Sequence, residues 1–203
     1  MAARSTVTIS GLTGSQTAST GFLSITSTDG RLGTSGEWTK DSGKLVLTTT
    51  SWSVPAKTTC VIRIFLQNSV MDQASPPVSV GAIIYDETGS ICLIDQSMMS
   101  TPGTPSYGVT YGADPLTVVV PQFQIKSIMQ STPASHAINL IRITLMANFD
   151  LSSGSTVTIT GLTGTLTSDT ASLSVTTTWG LLGTTGAWTH SIGRVMLTAA
   201  SGG

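Results

Sequence analysis

The stretch STVTISGLTGS, Ser5 to Ser15, returns as STVTITGLTGT, Ser155 to Thr165, and this recurrence governs how the rest of the chain is read. Extended outward, Thr6 to Thr48 lies over Thr156 to Thr198 without a gap, and about 24 of the 43 positions are identical. Self-similarity at a fixed offset marks a tandem structural unit rather than a short binding motif. The shared phrases run from TVTI and GLTG through Leu23-Ser24 and Leu173-Ser174 to LGTSGEWT (Leu32 to Thr39) and LGTTGAWT (Leu182 to Thr189). They close on GKLVLT and GRVMLT. Residues from about 49 to 155 occur once. The chain therefore holds roughly one and a third periods. The first copy lacks a counterpart of the strand-like run that precedes Leu151, and the second lacks a counterpart of Trp52 onward. Two readings follow. Either this is a segment of a longer tandem protein, or incomplete units are completed by neighbouring chains through β-addition, which predicts head-to-tail filaments.

Inside the repeat the apolar residues alternate. Thr156, Thr158 and Thr160 share one face while Val157 and Ile159 share the other, and Thr6, Val7, Thr8 and Ile9 repeat the pattern. That is the signature of half-buried strands. Cys60, Ile62, Ile64 and Leu66 form an apolar row opposed by Val61, Arg63 and Phe65, and Ile141, Ile143 and Leu145 are opposed by Arg142, Thr144 and Met146. Further strands are expected at Lys44 to Thr49, Val78 to Tyr85, Ser90 to Ile94, Leu116 to Val120, Ser172 to Thr176 and Arg194 to Thr198. Glycines at matching positions of both copies punctuate the runs, and no stretch carries helix caps with an apolar stripe at 3.6 spacing. The expected fold is all-β: two immunoglobulin-like antiparallel β-sandwich domains in tandem, residues 1–99 and 116–203, joined by a Pro/Gly linker at 100–115 (STPGTPSYGVTYGADP). The immunoglobulin Cys-Trp-Cys pattern is absent, so the likeness is architectural. Tyr107 and Tyr111 in the linker either pack at the domain junction or face solvent.

Composition narrows the function classes. Charged residues are 9% of the chain and the formal net charge is -1, while serine and threonine make up about 31%. There is no basic stripe for phosphates, so neither nucleic acid nor an anionic membrane is an expected partner. No apolar run approaches the roughly 20 residues that span a bilayer. The opening MAARSTVTIS has no apolar segment of the kind that forms a secretory signal. Cys60 and Cys92 are the only cysteines, leaving two alternatives: a disulfide, which suits a secreted protein, or two buried free thiols.

Catalytic chemistry needs a cluster of titratable groups, and the supply is thin. His190 aligns with Lys40, and His136 lies in STPASHAIN with no partnering Cys, His or carboxylate. Asp86 and Glu87 in YDETGS read as a hairpin turn with Gly89, not as a calcium loop. Glu37 and Asp41 are replaced by Ala187 and Ser191 in the second copy. No phosphate loop, dinucleotide fingerprint or nucleophile elbow is present. No cofactor, metal site or enzymatic activity is expected. The repeated Trp38 and Trp188 read first as core anchors, with sugar stacking as the alternative. Threonine rows could match an ice lattice or carry O-linked sugars, although exposed strand faces use threonine for its β-propensity alone.

From IKSIMQSTPASHAINLIRITLMANFDLSSGSTVTITGLTGTLTSDTASLSV through GTTGAWT and GRVMLT, the sequence resembles Thr/Ser/Gly-rich β-sandwich modules of very large secreted proteins of algae and other protists. Similar phrases recur there in tandem. The resemblance covers most of the chain and implies an extracellular, repetitive, structural protein of a cell coat, a thread or a flagellar hair. It brings no activity to any residue, and the chain departs from those modules in its single-copy middle, including Cys60, Cys92 and YDETGS. The expected role is head-to-tail assembly with copies of itself or sister modules. Cell adhesion or carbohydrate binding, with glycans as partners, is the alternative.

Overall fold

In the computed structural model, which describes residues 4–28, 30–50, 54–86 and 88–200, the alternating runs become strands and the glycines become turns. Thirteen strands, two short 3-10 turns and no α-helix are found among the described residues. The chain divides into two compact units, Met1–Gln122 and Phe123–Gly203.

The first unit contains β1 (Thr6–Ser10), β2 (Thr20–Ser27), β3 (Ser35–Thr39), β4 (Lys44–Thr48), β5 (Ile62–Ile64), β6 (Ser79–Tyr85) and β7 (Ile91–Met98). They form one antiparallel sheet in the order β5-β2-β3-β4-β1-β6-β7. The sheet curls because β2 changes partner along its length. Thr20 to Ser24 lie against β3, with Thr20 opposite Trp38, whereas Ile25, Thr26 and Ser27 lie opposite Ile64, Arg63 and Ile62 of β5. Alternation then sets the core. Ile25, Trp38, Leu45 and Leu47 are buried, and Cys60, Ile62, Ile64 and Leu66 pack against them from the β5 side.

The second unit holds a two-stranded hairpin, β8 (Phe123–Gln130) and β9 (Ile141–Ala147). It also holds a four-stranded antiparallel sheet of β10 (Thr156–Ile159), β11 (Thr170–Ser174), β12 (Thr185–Thr189) and β13 (Arg194–Thr198), in the order β10-β13-β12-β11. These four reproduce β1 to β4 in register: Thr156 faces Thr198 as Thr6 faces Thr48, and Thr170 faces Trp188 as Thr20 faces Trp38. Even the irregularity between Thr20 and Leu23 recurs between Thr170 and Leu173. Val157, Trp188, Val195 and Leu197 form its core, with Phe123 and Leu145 of the hairpin packed against them.

The expectations from sequence differ from this fold in three places. The stretch 100–115 is folded into the first unit rather than linking two domains. The Ser75 hydroxyl donates to the Pro115 carbonyl at 2.8 Å, the Gly103 N–H to Asp114 at 2.7 Å and the Ala113 N–H to the Thr104 carbonyl at 3.1 Å. Proline and glycine there mark irregular local structure, which a compact loop satisfies as well as a linker does. Within it Tyr107 and Tyr111 take left-handed backbone angles and are exposed. Leu116 to Val120 forms only an isolated bridge, Val118 with Gln73. The strand β8 was not expected, and β9, the run preceding the second copy, pairs only with β8 and is no edge partner of the repeated sheet.

Candidate functional site

The residues singled out in the sequence do not converge. Trp38 and Trp188 are buried, 1% and 6% exposed, and each ring N–H donates at 3.0 Å to a backbone carbonyl, that of Thr17 or Thr167. Neither ring offers a face for a sugar. Cys60 and Cys92 are free, with Cys60 half-buried against the first core and Cys92 exposed on β7. Cys60 precedes β5 and Cys92 lies on β7, the two ends of the sheet order, and no bond joins them in this structure. His136 is exposed and contacts Ser135 at 2.7 Å, while His190 meets the Thr165 carbonyl at 2.8 Å. Asp86 organises the β6–β7 turn: its Oδ1 accepts from the N–H groups of Thr88 (2.9 Å) and Ser90 (2.8 Å) and from the Thr88 hydroxyl (2.7 Å). These bonds, the Thr88 hydroxyl first, hold its carboxyl below the ordinary carboxylate value. Glu87 lies outside the described residues, as do Trp52 and residues 1–3. Among the described residues no three His, Cys, Asp or Glu side chains gather to hold a metal ion, and no helix is long and apolar enough to cross a membrane.

What the second unit does present is a sheet without strand partners at either edge among the described residues, with a groove beside the hairpin that packs on it. β1 and β2 each have two hydrogen-bonded neighbours; their counterparts β10 and β11 have one. β2 continues to Ser27 because β5 pairs with Ile25 to Ser27, whereas β11 stops at Ser174, before the corresponding Val175 to Thr177. Ile25, opposite Ile64 of the neighbouring β5, is 3% exposed, and its counterpart Val175 is half-buried. Over this face lies an open groove of about 1150 Å³, lined by Leu145, Val157, Ile159, Leu173, Trp188 and Leu197 among others. In the first unit Ile9 and Leu12, the counterparts of Ile159 and Leu162, border a pocket of only about 170 Å³, closed partly by Ile64 and Val78.

Hydroxyls fix the strand that covers the first unit. At one end the Ser15 hydroxyl (3.0 Å) and the Gln16 N–H (2.8 Å) donate to the Gln67 carbonyl, while the Gln67 N–H donates to Thr17 Oγ1 at 2.8 Å. At the other the Val61 N–H donates to Thr28 Oγ1 at 2.8 Å, and the Thr28 N–H donates to the Val61 carbonyl at 3.1 Å. An exposed apolar groove beside unpaired strand edges is suited to receiving an extended segment, with main-chain bonds for affinity and alternate side chains for specificity. The groove residues were not anticipated from sequence. The signal available was the repeat itself, since the second copy keeps the inward-facing residues of the first. Comparison with known protein families, with curated proteins and with solved structures finds no match.

Proposed function

We propose that this chain is a non-enzymatic structural protein whose immunoglobulin-like β-sandwich modules join head to tail into an extracellular filament or surface coat by strand complementation and apolar packing. One observation carries the reading: two sheets of the same sequence pattern and register, one flanked by β5 and β6 and the other, among the described residues, without a strand partner at either edge. A free β edge is a template for pairing with another chain, which soluble monomers usually guard. The first unit also offers such an edge. β7 pairs only with β6 and leaves Ile91, Leu93, Ile94 and Met98 exposed, with Asp95 as its one charge. A net charge of -1 adds little repulsion between copies. The partners are copies of the chain or sister modules, and the extracellular setting rests on the likeness to secreted protist modules. Sedimentation and electron microscopy across protein concentration and salt test the reading. Concentration-dependent chains or sheets are the expected result, and dispersed monomers throughout would sink it.

A second reading, adhesion through carbohydrate, has one observation in its favour. Trp179, where the first copy has Asp29, is 92% exposed in a turn with φ of 51°. A glycan array showing no sugar bound, or binding untouched by Trp179→Ala, removes it.

A further inference from the structure

Three turns of the chain share a triplet of hydroxyl residue, aromatic residue and glycine: Ser106-Tyr107-Gly108, Thr110-Tyr111-Gly112 and Thr178-Trp179-Gly180. In each the aromatic residue holds left-handed backbone, with φ of 51°, 58° and 51°, and is 61%, 58% and 92% exposed. A bulky L-residue is disfavoured there, and tight turns of this kind ordinarily take Asn, Asp or Gly. The first copy does so. Asp29 precedes Gly30 where the second has Trp179 before Gly180, and the two glycines have φ of 69° and 73°. The turns do not call for aromatic rings, and more than half of each residue lies in solvent, which points to a contact made outside the fold.

We propose that the loop 103–114 of the first unit is a binding site for neutral carbohydrate chains, with the rings of Tyr107 and Tyr111 as two platforms that stack on pyranose faces. This rests on the carbohydrate reading and adds to Trp179 a separate site on the first unit. The loop holds its rings on a closed frame. The Ser106 N–H donates to the Val109 carbonyl at 3.1 Å and the Val109 N–H to the Ser106 carbonyl at 3.0 Å, closing a two-residue turn around Tyr107-Gly108. The Gly112 N–H donates to the Val109 carbonyl at 3.0 Å and the Asp114 N–H to the Tyr111 carbonyl at 2.9 Å. A Cβ at Gly112 would stand 2.6 Å from the Ser106 carbonyl oxygen, so the two turns pack closely on each other. A platform ordered in advance loses little freedom on binding. Charge then selects the ligand. Asp114 is the one charged residue of 103–114, and its Oδ1 already accepts from the Gly103 N–H at 2.7 Å, so an ionic ligand finds no counter-charge. A pyranose ring brings an apolar C–H face for the aromatic ring and hydroxyls for the phenols and the exposed Thr110. Trp179 has no phenol, so the property common to the three turns is an aromatic face.

The test is retardation of the full chain in native gels cast with soluble neutral polysaccharides, a mixed-linkage β-glucan, a xylan and a galactomannan, with the tyrosine and tryptophan ring resonances followed in matching titrations. At least one of these glycans is expected to slow the chain and to shift the rings of Tyr107 and Tyr111. Tyr107→Asn combined with Tyr111→Asn removes the rings and suits the turns better. It is expected to weaken binding by about tenfold or more while the unfolding midpoint holds or rises. Tyr107→Phe combined with Tyr111→Phe keeps the faces and is expected to lose at most about fivefold. A lower midpoint in the asparagine variant makes the rings structural and overturns the proposal, as does retardation that this variant leaves unchanged. Retardation abolished by Trp179→Ala and untouched by the asparagine variant overturns this site and leaves the carbohydrate reading standing; the reverse pattern establishes the loop and removes Trp179. No retardation and no ring shift with any of the three glycans overturns the proposal, and a shift of these rings by a polyproline peptide alone assigns the loop to peptide instead.

Discussion

Two sheets with over half their residues in common differ in how deeply they are buried. Trp38 and Trp188 hold the same register position and donate the same hydrogen bond, yet only the first sheet closes over its tryptophan completely. Leu45 and Leu47 are fully buried, while Val195 and Leu197 retain a little exposure. The repeated sequence thus specifies strands, register and turn geometry. Burial is supplied by non-repeated segments, chiefly those carrying β5, Val54 and Val78.

The largest test of that contrast is truncation of the tryptophans. Trp38→Ala should cost about 3–5 kcal/mol, by lost burial and the cavity left behind. Trp188→Ala should cost about 1–2 kcal/mol less, because its surroundings already open onto a groove. Denaturant unfolding of the two variants measures this, and equal losses would break the comparison. Next comes a matched glycine pair. Gly11 and Gly161 have φ of 93° and 86°, so either substitution to alanine strains the backbone, by about 1–2 kcal/mol. A Cβ at Gly11 would stand 2.1 Å from the Pro77 carbonyl oxygen, whereas one at Gly161 meets nothing within 4 Å. Gly11→Ala should therefore lose about 1–3 kcal/mol more than Gly161→Ala, the cost of overpacking, readable as a difference in unfolding midpoint.

The smallest expected effect contrasts two hairpin turns. Asp86 holds the β6–β7 turn through an ionised carboxylate; Asn139 holds the β8–β9 turn through a neutral amide whose Oδ1 accepts from the N–H groups of Ser131 (3.1 Å) and Thr132 (3.3 Å). The Asp86 carboxyl lies below its ordinary value of 3.8 in the folded chain. Its contribution is therefore complete above that value and is lost as pH falls through the folded one. On acidification from about pH 6 to about pH 2, amide resonances of Thr88 and Ser90 should shift while those of Ser131 and Thr132 stay. Matching shifts at both turns would assign the acid response to something other than Asp86.

The features legible in the sequence were those encoded by alternation and repetition. The inward row of Cys60, Ile62, Ile64 and Leu66 alternates in the structure as the sequence reads, and the four-strand register of the second copy follows from the first. The all-β class and antiparallel pairing follow from the same pattern. Features that depend on distant partners were not legible. Nothing local to FQIKSIMQ separates a strand of an independent hairpin from a loop, and Leu116 to Val120 alternates like a strand but finds only Gln73 to bridge. Nor does a Pro/Gly-rich stretch announce whether its turns close on themselves, as 100–115 does through Ser75 and Asp114. The groove is not legible because its floor is made of ordinary core residues such as Val157, Trp188 and Leu197, which read alike in sequence however they are covered.

The joint at Gln67 has an environmental consequence. Its bonds run among hydroxyls, amides and carbonyls of Ser15, Gln16, Thr17 and Gln67, and none engages an ionised group. Dissolved salt weakens attraction between charges, cutting its reach to about 10 Å at 0.1 M, but it has little hold on neutral dipoles in contact. A strand fastened this way is as secure in brine as in fresh water, and as secure at pH 5 as at pH 9, the range over which no serine, threonine or glutamine side chain titrates.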